Sequence, residues 1–384
     1  MSAALRPAET AAPLIAAIAA AAGRHDRDGS FPFDSLALLR DAGVLALTVP
    51  AALGGGGAGL RLAADAVREV GAACPATALV LAMQLGKQAG LARNQAWPAA
   101  LREKVGRLAV TEGALINAAR VEPELGSPTR GGLPATIARR TATGWRISGH
   151  KRYVTGVPAL HFIEVLARTD EASPRLGMFL VTAGTPGLEI RETWDHLGLR
   201  ASGSHDLVLT DVEVPAANAI GLAPAATWRG SDAVQAAWNA LLVGAVYTGV
   251  AQAARDWVRG FLRARRPTGL GATLATAPTV QQAVGAIEAR LIGNRRITAS
   301  LAADTDAGTP PSATESGAVK AVLSANALAA VQAAVALAGN HGLDRKNPLE
   351  RHWRDVQCAG VHVPTEDAAF GAAGRDALLA GDSE

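Results

Sequence analysis

The spacing of apolar residues changes character twice along the chain. From Pro13 to about Ala119 it is helical, and Phe33, Leu36, Leu38, Leu39 and Val44 suit a short amphipathic helix ended by the Ala42-Gly43 turn. From about Val121 to Pro215 short strand-like runs take over. Trp145-Arg146-Ile147-Ser148-Gly149 alternates and ends in glycine, while Phe162 to Ala167 and Met178 to Val181 are compact apolar runs. Leu207, Leu209, Val212 and Val214 alternate with a phase shift at Thr210-Asp211, which predicts a bulge. After Pro215 helices return and lengthen: Val280, Val284, Ile287 and Leu291 recur at spacings of four, three and four, on one helical face. Asp304 to Gly317 reads as a loop, followed by an Ala-rich helix to about Ala338. The order predicts an α+β, mainly α, chain in three domains: 1–119 all-α, 120–216 antiparallel β, and 217–384 helical. There is no βαβ alternation and no GxGxxG after a strand, which argues against a Rossmann domain.

Composition narrows the function classes. Of 384 residues 49% are hydrophobic and 18% charged, as in globular chains, and the abundance of alanine favours helix. The net charge of +3 comes from interspersed signs, 37 basic against 34 acidic, so no basic stripe marks a nucleic-acid partner. Cys74 and Cys358 stand far apart outside any CxxC spacing, which fits neither a disulfide framework nor a zinc site and points to a reducing cytoplasm. His25, His161, His196 and His205 show no metal-ligand spacing. The apolar run from Ala11 to Gly23 follows Glu9 and carries Pro13 in its first turn, so it reads as a first helix rather than a signal peptide. No run reaches the ~18 apolar residues needed to span a bilayer. Gly54 to Gly57 lacks a following Lys-Ser/Thr and reads as a mobile connection, not a phosphate loop.

Five stretches carry candidate chemistry. Val121-Glu122-Pro123-Glu124-Leu125-Gly126-Ser127 opens the sheet region, and Gly149-His150-Lys151-Arg152-Tyr153-Val154-Thr155-Gly156 closes a strand inside it. Trp194-Asp195-His196-Leu197-Gly198-Leu199-Arg200-Ala201-Ser202-Gly203-Ser204-His205-Asp206 precedes its last strand. Gly339-Asn340-His341-Gly342-Leu343 and Arg354-Asp355 lie near the C-terminus. In this order, over nearly the whole chain, the set resembles the acyl-CoA dehydrogenase superfamily. The resemblance implies an N-terminal helical domain, a middle β domain and a C-terminal four-helix bundle. It also implies FAD, with FMN as the alternative, in a homotetramer or homodimer whose subunits share each cofactor.

By the same resemblance, Tyr153 lies flat against the isoalloxazine, Thr155 offers a hydroxyl to its N5 edge, and Ser127 stands near the pyrimidine and the ligand. Arg265, or Arg266 beside it, matches the arginine that reaches a neighbouring subunit's FAD diphosphate, a group suited to paired charge-assisted bonds. Gln281 or Gln282 matches a flavin-contacting glutamine. Gly339, Asn340 and Gly342 form a turn that lets backbone approach the adenine half of the cofactor, although a helix C-cap would also explain the glycines. Without these motifs Thr155 and Ser127 would read as ordinary strand and turn residues.

The departures concern catalysis. An acyl-CoA dehydrogenase needs a carboxylate to remove the α-proton while hydride leaves the β-carbon. The family glutamate position after Arg354-Asp355 is Val363, and the other family base position, ten residues before Gly249, is Asn239. A register error of a residue or two would make Glu366 or Asp367 the base. Arg351-His352-Trp353-Arg354 followed by His362 resembles instead the two-component flavin monooxygenases of the superfamily. These take reduced flavin from a separate reductase and oxygenate a small-molecule substrate through a flavin C4a-hydroperoxide. His362 is then the expected catalytic residue, an imidazole titrating near neutral pH. Gln84 stands where such relatives often carry a histidine. An apolar substrate suits the Ala-rich interior. Two alternatives stay open: an acyl-CoA dehydrogenase with a displaced base, and a flavin-binding scaffold that has lost its acid–base residues.

Overall fold

The computed structural model describes residues 8–125, 132–228, 230 and 232–379. Helices α1 (Ala8–Asp28), α2 (Phe33–Asp41), α3 (Leu60–Ala73), α4 (Pro75–Arg93) and α5 (Ala99–Thr111) come first. The sheet follows, with β1 (Leu115–Ala119), β2 (Ile137–Arg140), β3 (Gly144–Val154), β4 (Leu160–Thr169), β5 (Arg175–Thr182), β6 (Leu188–Arg191), β7 (His205–Pro215) and β8 (Ala219–Pro224). Helices α6 (Ala233–Ala264), α7 (Pro278–Asp306), α8 (Ala313–Ala338), α9 (Pro348–Gln357) and α10 (Glu366–Leu379) complete the chain. Local chemistry sets the helix starts. Pro75 and Pro278 occupy first turns, where a missing N–H costs nothing. Asp232 and Ser312 accept the backbone N–H groups of Gln235 and Glu315, the second in a Ser-x-x-Glu capping box.

The strand order is β6-β7-β3-β2-β4-β5-β8, with β1 paired to β4. Most pairings are antiparallel, as expected, but β1–β4 and β2–β4 are parallel. The sheet also extends beyond the expected limits of 120 and 216, because β1 and β8 belong to it. The bulge falls where the phase shift placed it: Ile147 pairs with Val212 and Gly149 with Leu209, leaving Thr210-Asp211 opposite Ser148. Asp211 adopts φ 51°, and its backbone N–H donates to Ser148 Oγ, which donates in turn to the Asp211 carboxylate.

Gly54 to Gly57 is not slack. A Cβ on Gly55 or Gly56 would lie 2.3 Å from Val49 O or 2.5 Å from Leu47 O, so these glycines permit close backbone packing. The same device seats α6: a Cβ on Gly249 would meet Arg68 O of α3 at 2.4 Å, and one on Gly71 would meet Val246 O at 2.7 Å. Helices α6 and α8 are each long and apolar enough to cross a membrane by length and composition, contrary to expectation, yet much of each is buried against the other helices. Cys74 and Cys358 are both free thiols.

Two buried polar knots fix the sheet. Lys151 Nζ on β3 lies 2.6 Å from Glu122 Oε1, both side chains being 2% exposed or less. Glu122 also accepts from Ala135 N, Thr136 N and Thr136 Oγ1, which pins the entry to β2. Burial pushes the Lys151 ammonium down to about 8 against the pull of Glu122. On α4, Gln84 donates to Leu45 O and Ala114 O and accepts from Ile116 N, so the residue standing at the expected histidine position holds β1 in place. Removing one partner of a buried ion pair strands the other charge. Lys151→Met should therefore cost about 3–5 kcal/mol in chemical denaturation, and adding Glu122→Gln should recover more than half of it. A loss below about 1 kcal/mol in the single variant would contradict this reading.

Candidate active site

Near its end β3 throws Tyr153 out of the sheet. The register with β7 shifts between Lys151 and Val154, and Tyr153 takes φ 57°, a left-handed value that a bulky residue holds only under constraint. The result is an exposed phenol ring, 45% accessible, with the Arg152 guanidinium 4.8 Å from its centroid. Trp194 meets it edge-on at 6.2 Å and His196 at 6.0 Å, and these two rings stack on each other at 3.7 Å. Two residues on, Thr155 Oγ1 shares a hydrogen bond with Ser204 Oγ at 3.0 Å, and Ser204 with Ser202 Oγ at 2.8 Å. Asn117 of β1 donates to Thr155 O. An open aromatic face beside a row of hydroxyls fits a flat heteroaromatic ring with a polar edge, which is what a flavin presents.

The loop carrying Trp194 to Ser204 is docked on α9. Arg354 donates to Asp26 of α1 at 2.9 and 2.6 Å, to Glu350 at 2.8 and 3.0 Å, and to Leu197 O at 3.1 Å. These bonds hold its guanidinium charged at every accessible pH. Asp355, 3% exposed, accepts Leu199 N–H at 2.7 Å, and a Cβ on Gly198 would lie 2.3 Å from Arg354 O. Arg200 returns the contact by donating to Asp26 O. The Arg-Asp pair thus closes the seam between N-terminal helices, sheet and C-terminal bundle.

Beyond α9 the chain turns and presents His362. Its Nε2 lies 2.6 Å from the hydroxyl of Tyr247, a fully buried residue of α6. Burial raises the Tyr247 phenol well above its ordinary value, so Tyr247 stays protonated and is able to donate to Nε2. With Tyr247 donating, Nε2 is the acceptor and the ring proton sits on Nδ1. Burial, and secondly the Lys320 ammonium, push the His362 imidazole down to about 4. The expected titration near neutral pH is corrected accordingly: the ring is neutral through that range. His352 is also buried and is pushed down to about 3, by burial and then Arg351.

The predicted residues fall into two groups. Tyr153 reaches Asp355 of α9 through Trp194 and Leu199, and Asp355 acts electrostatically on Tyr247, the partner of His362; among the described residues no hydrogen bond or ring contact joins His362 to Tyr153 or Thr155. Arg265, Gln281, Gly339, Asn340 and Gly342 lie at the far end of the bundle. Arg265 caps α6, exposed Gln281 donates to Ala275 O, and the turn 339–342 sets His341 5.1 Å from the Phe261 ring. Tyr247 and Arg265 are eighteen residues apart on α6, about 27 Å at helical rise. Ser127 lies outside the described residues. Val363 is exposed, and Asn239 accepts from Gln235 Nε2. Glu366 and Asp367 open α10 on its exposed side. Among the described residues no carboxylate hydrogen-bonds to Tyr153, Thr155, Tyr247 or His362. Sequence reading missed Tyr247 and gave Ser202 and Ser204, inside a quoted motif, no role of their own; a lone tyrosine inside an Ala-rich helix gives no local sign of its partner.

Domain profiles described as acyl-CoA dehydrogenase N-terminal, middle and C-terminal domain match residues 8–93, 118–212 and 241–366. The chain belongs to the acyl-CoA dehydrogenase family. It is 36% identical to the putative acyl-CoA dehydrogenase YdbM of Bacillus subtilis strain 168, over 91% of this chain and 90% of that one. It is 30% identical to L-evernosamine nitrososynthase of a Micromonospora species, over 92% and 85%. The solved structure of KijD3 in complex with FMN and dTDP-3-amino-2,3,6-trideoxy-4-keto-3-methyl-D-glucose is similar too, with 28% identity, a TM-score of 0.84, and coverage of 96% and 92%. This acyl-CoA dehydrogenase relative is a flavin-dependent oxidoreductase, and its cofactor is a flavin.

Burial raises the Asp355 carboxyl to about 6, against the lowering pull of Leu199 N–H and Arg351. A raised folded value means that Asp355's contribution is full below the unfolded value and is lost as pH rises through about 6. Asp355→Asn keeps an acceptor for Leu199 and removes the titration. Its unfolding free energy should be flatter than wild type between pH 4 and 7, by on the order of 3 kcal/mol. Identical pH profiles by denaturant titration would contradict the assignment.

Proposed function

We propose that this acyl-CoA dehydrogenase homologue is a flavin-dependent monooxygenase acting on a small molecule, with reduced flavin supplied by a separate reductase. The observation that carries the reading is the seam's acid–base content. Where an α-proton must be removed there are a valine and an asparagine, Val363 and Asn239, and the ionisable pair present is neutral Tyr247–His362. A neutral imidazole of such low basicity is unsuited to removing a carbon-bound proton. It is suited to donating from Nδ1 while Tyr247 holds Nε2. The similarity to a nitrososynthase, and to a protein solved with FMN and an amino sugar nucleotide, supports chemistry on a heteroatom rather than on an acyl chain.

Bound reduced flavin would supply the two electrons and the oxygen activation. Tyr153 offers a flat face to the ring, Thr155 a hydroxyl to its edge, and the Ser202–Ser204 pair keeps that hydroxyl oriented. His362 would donate from Nδ1 to an oxygen or a substrate lone pair. The separation of Arg265 from Tyr247 by about 27 Å supports an oligomer in which Arg265, Gln281 and the Gly339–Gly342 turn serve a neighbour's cofactor.

Three measurements test the proposal. Anaerobic addition of butyryl-CoA should leave the flavin oxidised over minutes, whereas reduced flavin admitted to oxygen should be reoxidised with oxygen uptake. Rapid bleaching by the thioester would instead make Glu366 or Asp367 the base of a dehydrogenase, and tight flavin binding with neither reaction would support the scaffold. His362→Ala should lower substrate turnover by about 10²–10⁴-fold with flavin affinity unchanged; full turnover would remove His362 from the mechanism. Arg265→Ala should weaken FAD binding by about 1.5–3 kcal/mol and leave FMN binding unaffected. Equal FAD affinity in that variant would sink the shared diphosphate site.

A further inference from the structure

Other lysines taken from solvent in this chain sit against carboxylates, Lys151 on Glu122 at 2.6 Å and Lys87 on Glu164 at 2.9 Å. Lys320 does not. It lies in the first third of α8, is 2% exposed, and reaches the turn that joins α9 to α10. There Nζ donates to the backbone carbonyls of Ala359 at 3.0 Å, His362 at 2.6 Å and Pro364 at 3.2 Å. Among the described residues no carboxylate oxygen comes within 4.0 Å of it. Three carbonyls use all three ammonium protons, and the shortest bond is to the residue whose ring meets Tyr247.

An ammonium buried with no carboxylate in contact is costly, and a fold that needed only volume here would be served by methionine. The carbonyls it gathers come from a turn that no helix or strand ladder satisfies, so they need a donor. The two ends of His362 are therefore held from different helices: its backbone from α8 by Lys320, its ring from α6 by Tyr247. We infer that Lys320 is a positioning residue for the reaction proposed at this site, fixing the 359–364 turn so that His362 keeps Nε2 on Tyr247 and its Nδ1 proton free to donate. The inference rests on that reading of His362 for its catalytic meaning, though not for its geometry.

Lys320 also acts through charge. A fixed cation beside the imidazole disfavours protonation of the ring, and Lys320 is the charged group named after burial in depressing His362. Burial lowers Lys320 itself to about 8, opposed by Glu366 at the start of α10. The other titratable groups around the turn are Tyr247 on α6, Asp355 on α9, Cys358 in the turn and Asp367 beside Glu366; Asp355 and Cys358 both act on Tyr247. Because the folded value of Lys320 lies below its ordinary value, deprotonation above pH 8 does not cost global stability. What it removes is local: one donor of three, and the cation at the ring.

The test is the His362 ring resonance in holoenzyme labelled with 13C-histidine and assigned by comparison with His362→Ala. In the wild type the ring should titrate near 4, and the same resonance should shift a second time with a midpoint near 8, as Lys320 loses its proton. In Lys320→Met the acid midpoint should move up toward the ordinary value of 6.5 and the second transition should vanish. Turnover by that variant should fall at least tenfold with KM and flavin affinity within threefold. Absence of the transition near 8 in the wild type overturns the proposal, and that observation needs no variant to fold. An unchanged His362 titration in a folded Lys320→Met protein overturns it as well. Neither readout depends on turnover, so a failure of the monooxygenase reading remains separately visible in the oxygen-uptake assay.

Discussion

The structure depends on the hydrogen bonds by which Arg354 and Asp355 tie α1, α9 and the loop before β7 together. One guanidinium satisfies two carboxylates from different parts of the chain and a loop carbonyl, and the neighbouring carboxylate accepts the backbone of Leu199. The arrangement is fully bonded on the arginine side, which is the condition under which buried charge can be tolerated. It joins α1, the sheet and α9 at one point. Everything that defines the seam is placed from there: Trp194 and His196 on the loop's near side, Ser202 and Ser204 on its far side, and His362 seven residues beyond Asp355.

From this constraint follows a division of labour among the helices. Helix α6 is central, its stretch from Leu241 to Ala251 is buried throughout, and close glycine contacts with α3 fix its depth. That places Tyr247 at the seam and Arg265 at the opposite end. In the function proposed for this chain, a single long helix would carry residues for two cofactor regions, and neighbouring copies would complete one another's sites. The left-handed Tyr153, held by a bulge, adds a strained aromatic face at the rim, and strain of this kind, about 1–3 kcal/mol, persists where the surroundings over-determine it.

Much of the fold was legible in the sequence because its periodicities are clean. The Thr210-Asp211 phase shift predicted a bulge, and the bulge is there. The parallel pairings of β1 and β2 with β4 were not legible, since a short apolar run carries no sign of strand direction. Gly54 to Gly57 misled for a related reason: glycine reads as freedom, whereas here it allows contact with Leu47 and Val49. At the candidate site, ordered motifs pointed to Tyr153, Thr155 and His362. They did not reveal Tyr247 or Lys320, whose partners are distant in sequence, at 115 residues from Tyr247 to His362 and 42 from Lys320 to the His362 carbonyl. They also suggested the wrong basicity for His362, because a histidine's titration is set by the burial and charge around it rather than by its place in a motif.

The central claim is that the flavin lies in the Tyr153–Thr155 seam with a neutral histidine, and no carboxylate, at its reactive edge. A crystal structure of the flavin complex tests it most directly. The account predicts the Tyr153 ring packed on the isoalloxazine, the Thr155 hydroxyl at its edge, and His362 with Nε2 on Tyr247 and Nδ1 facing the flavin. A flavin seated elsewhere, or Glu366 or another carboxylate brought to its reactive edge, would contradict it.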